Sequence, residues 1–144
     1  MQLNWIRLAV LVALGPPLAG QLPPRIAGVS LGDSASVVAA QLGAPDSHQE
    51  LIGVVAWDYT ARGLTVMWNQ TDRRVRVMVL SKREGGVAEG VRVGDPVHVA
   101  KEQWGEPTRI RQDGRYWDFV RGAWAATLEI RDGNVITITL QAAE

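Results

Sequence analysis

Cysteine is absent from all 144 residues, which excludes a disulfide framework, thiol chemistry and a Cys-ligated metal. Histidine occurs only as His48 and His98, without a ligand spacing such as HxxxH, so no metal and no cofactor is expected. Net charge is missing too: 15 Lys plus Arg balance 15 Asp plus Glu. Without a global field, no nucleic-acid partner is expected. No apolar run reaches the roughly 20 residues of a membrane-spanning helix. Hydrophobic residues nevertheless make up 47%, with six Trp, so a packed core is feasible without cross-links.

The N-terminus carries the run LAVLVAL from Leu8 to Leu14, preceded by Arg7 and followed by small, Pro-containing sequence. That pattern matches an export signal over residues 1–20, with an uncleaved anchor as the alternative. Gln21 stands where a lipoprotein would carry its acylated Cys, so lipid attachment there is chemically impossible. The expected location is extracytoplasmic, periplasmic or secreted. Residues 21–25 form a stiff linker because two prolines favour extended backbone.

An internal repeat organises the rest. GVSLGDSASVVAAQLGAPD begins at Gly28, and GVRVGDPVHVAKEQWGEPT begins at Gly90. Gly28 matches Gly90 and Pro45 matches Pro107, a displacement of 62. Each copy reads as a short helix with an apolar stripe: Ala35, Val38 and Leu42 in the first, Val97, Ala100 and Trp104 in the second. Gly43 and Gly105 suit the helix ends, and the prolines two residues on prevent continuation. Asp33 and Asp95 are expected to cap the helix N-termini, with Pro96 in the first turn.

Alternating segments follow each helix. The first set comprises Ser47–Leu51, VVAWDYT, LTVMWN and RVRVMVLS; the second comprises Arg109–Gln112, RYWDFV, a strand from Trp124 to Ile130, and Val135–Leu140. The spacing predicts an α+β fold of two tandem helix-plus-antiparallel-sheet repeats, each with one short helix packed on a three- to four-stranded meander. The first would occupy residues 26–81 and the second 90–144, with 82–89 as a surface connector. If Ile136, Ile138 and Leu140 face the helix, then Val75, Val77, Val79 and Met67 lie on an open apolar face.

No catalytic residues are expected. The GVxxGD glycines lack the strand and the Lys-Ser or Lys-Thr of a phosphate loop. Asp58 and Asp118 are less easily absorbed, because Asp is disfavoured between aromatics in a strand. Their structural reading is an outward carboxylate paired with Arg62 or Arg121; their functional reading is a polar contact to a ligand. An Asp-dependent enzyme is the least favoured reading, since one carboxylate per unit has no evident nucleophile or metal partner.

A helix opened by Gly-x-hydrophobic-x-Asp, closed by LG-x-P and followed by an aromatic-Asp-aromatic strand resembles the SmpA/OmlA (BamE-like) lipoproteins of outer-membrane assembly. In tandem it is similar to the β-lactamase inhibitor protein (BLIP-like) architecture. The resemblance covers Ile26 to Leu140 and implies an exported, non-enzymatic, protein-binding chain. The chain departs from those lipoproteins in lacking the acylated Cys. The leading expectation is a module that presents its sheet surface to another protein; the alternative is a self-associating structural envelope protein, a homo-oligomer with peripheral envelope association. The residues expected at the partner surface are Met67, Trp68, Arg73, Arg74, Val75, Val77, Val79, Arg109, Arg111 and Tyr116, because Trp and Arg are frequent interface anchors.

Overall fold

A computed structural model describes residues 23–143. The expected signal, residues 1–20, and Gln21 lie outside the described residues. Helix α1 (Ala35–Leu42) is followed by β1 (Ser47–Leu51), β2 (Val54–Tyr59), β3 (Leu64–Asn69) and β4 (Val75–Leu80). Helix α2 (Val97–Trp104) is followed by β5 (Arg109–Arg111), β6 (Tyr116–Arg121), β7 (Trp124–Arg131) and β8 (Asn134–Ala142).

All eight strands belong to one antiparallel sheet, in the order β1-β2-β3-β4-β8-β7-β6-β5. This corrects the expected pair of tandem helix-plus-meander repeats. Met78 pairs with Leu140, Val79 with Thr139 and Leu80 with Ile138, so the sheet runs unbroken across the middle of the molecule. The physical reason is twofold. Separate units would each leave the N–H and C=O groups of β4 or β8 unpaired at an edge, and a unit of about 60 residues buries too little surface to be secure alone. Joining at the seam pairs both edges and pools the interior: Val38, Leu64, Val66, Met78 and Leu80 share one core with Ala100, Phe119, Leu128, Ile138 and Leu140.

One β-bulge in each half decides which side chains enter that core. Register shifts between Met67 and Trp68, so Trp68 pairs with Val75 while Met67 pairs with Val77. Arg76 becomes the extra residue, and Val75 turns inward to 1% exposure. The same shift between Glu129 and Ile130 turns Val135 inward and makes Ile136 the extra residue. Val75 and Trp68 are core residues, which corrects their expected place at the partner surface: alternation fails for Val75 because the bulge at Arg76 reverses its facing, while Trp68 keeps strict alternation with Leu64 and Val66 on the buried side of β3. Ile136 is likewise half-buried while Val135 is fully buried, the reverse of the expectation.

The GVxxGD segments act as brackets on the last strand of each half. Ala27 and Gly28 both have positive φ in a two-residue turn closed by Ile26 and Val29, and a Cβ at Gly28 would meet Gln41 of α1 at 2.7 Å. Asp33 does not cap α1: its carboxylate accepts the Ser30 N–H at 2.8 Å, and Ser34 supplies the cap to Val37. Asp95 likewise accepts the Arg92 N–H at 2.9 Å, and Pro96 is itself the N-cap of α2, with no side-chain cap bond. Their backbones pair with Val75 and Val135. The aspartates thus hold a turn that clamps the strand end, accepting from the residue three before them where a helix cap would accept from one two or three after. The connector is also less superficial than expected, since Gly85 is buried beneath Leu80 and the Arg62 carbonyl.

Candidate functional site

The helices and the bracket loops contribute to the core on one face of the sheet, and among the described residues no helix or strand covers the other. Pairing defines a row across this open face: Ser47, Asp58, Thr65, Val79, Thr139, Thr127, Asp118 and Arg109. A parallel row runs through Ala56, Met67, Val77, Gln141 and Ala125. Ala56, Met67, Val77, Val79 and Ala125 are all half-buried. An apolar strip therefore lies at the centre of the face, with charged and hydroxyl groups along one side of it.

At the β5–β6 end those polar groups form a closed network. Asp118 is 6% exposed. Its Oδ2 accepts from Nε of Arg109 at 3.0 Å and Nε of Arg111 at 2.6 Å. Its Oδ1 accepts from Nη2 of Arg111 at 3.0 Å and the Thr127 hydroxyl at 2.8 Å. The Arg111 guanidinium holds the carboxyl at about 2, burial opposing it and Thr127 and Arg109 reinforcing it. Arg111 also lies over the Tyr116 ring, 4.9 Å from its centroid, and Arg115 lies 5.3 Å from the same ring while pairing with Glu129 at 3.0 Å. Hydrogen bonding to Asp118 raises the Arg111 pKa above its ordinary value.

The expected pairing of Asp118 with Arg121 is overturned. Arg121 instead donates to the carbonyls of Trp104 and Glu106 and to Thr108, tying the end of α2 to the sheet. Asp58 does not pair with Arg62 either: it accepts from Thr65 at 2.8 Å and from Ser47 at 3.3 Å. Asp58 and Asp118 are separated by five strand spacings, about 24 Å at ~4.8 Å each. They cannot act on one substrate atom, which removes the geometry a shared acid/base site requires.

The ten residues expected at the partner surface thus separate into three places. Met67, Val77, Val79, Arg109, Arg111 and Tyr116 share the open face. Trp68 and Val75 are core. Arg73 and Arg74 sit in the β3–β4 turn, where the Arg73 carbonyl accepts the Ala35 N–H and Arg74 donates to the Gly32 carbonyl at 3.0 Å. Arg73 also borders a cleft of about 590 Å³ on the helix side, with His48, Glu50, Trp57, Trp68 and Gln70. Trp57 and Trp68 meet edge to face at 4.5 Å on its floor, and Gln70 donates to Glu50 at 2.8 Å on its rim. This cleft and the hydroxyls of Thr65 and Thr127 were not anticipated from sequence. The threonines carried a signal, since they match at the repeat displacement of 62.

No protein-family model matches this chain, and no curated protein matches it by sequence. Solved structures do share the fold. A cysteine-rich secretory protein from Staphylococcus aureus superposes with a TM-score of 0.63 at 11% identity, over 83% of this chain and 45% of that one. The chain therefore spans under half the length of that neighbour. A DUF4309 family protein, YjgB, from Bacillus subtilis superposes with a TM-score of 0.54 at 14% identity, over 90% of this chain and 92% of that one. These likenesses concern the fold. Among the described residues, no helix is long and apolar enough to cross a membrane, and no three His, Cys, Asp or Glu residues cluster as a metal site.

Proposed function

We propose that the chain is an exported, non-enzymatic binding module that offers the open face of its sheet to a protein partner, as the resemblance to BamE-like and BLIP-like proteins implies. The observation that carries this reading is the one-sided sheet: the described helices and bracket loops lie on one face, while Met67, Val77 and Val79 form an apolar strip on the other. A sheet normally packs its apolar face against another layer, and a contiguous uncovered apolar strip with a polar rim has the anatomy of an interface. Export is supported by the apolar N-terminal run and by the secretory description of the staphylococcal neighbour.

Photo-crosslinking in the producing cell tests the reading. A crosslinking residue at Val77 should trap one protein species other than the chain itself, whereas one at Glu102 on α2 should not. Adducts containing only a second copy would replace this reading with the self-associating envelope protein. Absence of any adduct at Val77, or recovery of the chain solely from the cytoplasm, would overturn it.

A further inference from the structure

The two halves carry the same carboxylate receptor in different states. Asp58 and Asp118 occupy equivalent positions on β2 and β6, and each accepts a hydrogen bond from the threonine directly across the ladder: Thr65 at 2.8 Å and Thr127 at 2.8 Å. That bond orients the carboxylate and uses one lone pair of Oδ1. Around Asp118 the remaining acceptor sites take two guanidinium groups from the edge strand β5. Around Asp58 the edge strand β1 presents Ser47 and Gln49 in place of Arg109 and Arg111. Ser47 donates one long bond at 3.3 Å, and no ion pair joins Asp58 to a cation among the described residues. Beside it lies a shallow cleft of about 320 Å³ whose lining includes Ser47, Asp58, Thr60, Thr65, Ser81 and Lys82.

We infer that Asp58 is a vacant guanidinium receptor, filled by an arginine side chain of the protein that docks on the open face. The inference rests on the binding reading above and adds the chemistry of the contact. A carboxylate can accept a bidentate guanidinium when its oxygens are oriented and free. Asp118 displays that arrangement completed within one chain, so the geometry of the filled state is already on the molecule. The hydroxyls of Ser47, Thr60 and Ser81 add acceptors for guanidinium N–H groups that the carboxylate leaves over. Arginine is favoured over lysine because its planar fork meets two carboxylate oxygens at once.

Two experiments test this separately from the binding reading. The first fills the receptor internally. Ser47→Arg should fold, because Ser47 is exposed on an edge strand, and the NMR signal of the new guanidinium Nε–H should be slowed in solvent exchange, an effect lost when Asp58→Asn is added. A guanidinium that exchanges freely in both variants overturns the receptor geometry. The second uses the partner trapped at Val77. Asp58→Asn and Ser47→Arg should each weaken its binding about tenfold, the first by removing the receptor and the second by occupying it, while Glu102→Gln on α2 should change binding less than twofold. Retained affinity in Asp58→Asn and Ser47→Arg overturns the inference even though a partner exists, and failure to trap any partner overturns the binding reading instead. In a direct probe, a hexa-arginine peptide should shift the NMR signals of Ser47, Asp58 and Thr65, and Asp58→Asn should abolish those shifts. Equal shifts from hexa-lysine would overturn the assignment to arginine.

Discussion

The strand-centre carboxylate of the first half keeps acceptor sites available; its counterpart in the second half is filled by that half's own arginines. Asp58 has two hydroxyl partners where Asp118 has two arginines and a threonine. Trp57 and Trp68 floor a cleft in the first half, whereas in the second Trp104 reaches in from α2 to meet Phe119 at 5.2 Å and Trp124 at 6.3 Å. Arg121 then ties the helix end to the sheet through three acceptors. The same fold positions serve rigidity on one side and contact on the other. Equivalent residues are therefore no guide to equivalent roles.

The largest test of this contrast is Phe119→Ala. Phe119 is fully buried against Trp104, so the substitution should cost about 3–5 kcal/mol in denaturant unfolding. Its counterpart Tyr59 is also buried and donates to the Gly43 carbonyl at 2.9 Å, and the matched truncation Tyr59→Ala should cost less, about 3 kcal/mol or under. Equal losses would erase the claim that the second half is the more tightly packed.

Asp118→Asn should come next, at about 2 kcal/mol near neutral pH, because two guanidinium groups lose their acceptor while remaining partly solvated. The pH dependence has a definite sign. The folded carboxyl sits at about 2, below its ordinary 3.8, so its stabilisation is fully present above about pH 4 and is lost as pH falls through 2. Acid unfolding curves should lose that component in Asp118→Asn. Asp58→Asn should cost less, about 0.5 kcal/mol, because Asp58 is half-buried without an ion pair among the described residues and the Asn oxygen can still accept from Thr65.

Asp95→Ala should cost about 1 kcal/mol or slightly more, through the Arg92 N–H and the Arg83 ion pair at 2.8 Å. Burial raises the Asp95 pKa, but the bonds from Arg83 and Arg92 outweigh it and leave it lowered. Asp33→Ala lacks an ion pair among the described residues and should cost about 1 kcal/mol or slightly less. Thermal melts of the two variants would rank the two brackets. The smallest effect is a gain. Ile52 has φ 44 at a fully exposed hairpin tip, where a β-branched residue is strained, while the second half places Asp113-Gly114 in its turn. Ile52→Asn should stabilise by about 0.5 kcal/mol.

The helices, the strand spans and the polar hairpin turns were legible because each depends on local patterning. Val77, Val79 and Met67 could be placed on an open face for the same reason. What escaped was non-local or carried by backbone alone. RVRVMVLS has apolar residues on both faces, and nothing in that pattern marks Arg76 as the extra residue of a bulge. The seam escaped because pairing of β4 with β8 is set by two edges seeking partners, across about 60 residues of chain. Arg109 and Arg111 were correctly linked to a surface, but their target was hidden: alternation shows that a carboxylate and two arginines share a face, not that they neutralise one another. The Asp33 and Asp95 caps misled because Asp just before a helix serves a turn as well as it serves the helix.

The seam itself has a further consequence. Met78 opposite Leu140 and Leu80 opposite Ile138 are one contact written twice, with Val79 and Thr139 on the local two-fold axis. Two identical separate chains meeting through such a strand would carry every substitution in both copies at once. With both halves on a single chain, each position can change alone. Ser47 can stand where its counterpart is Arg109, so an oriented carboxylate stays open on one side while its twin is locked on the other.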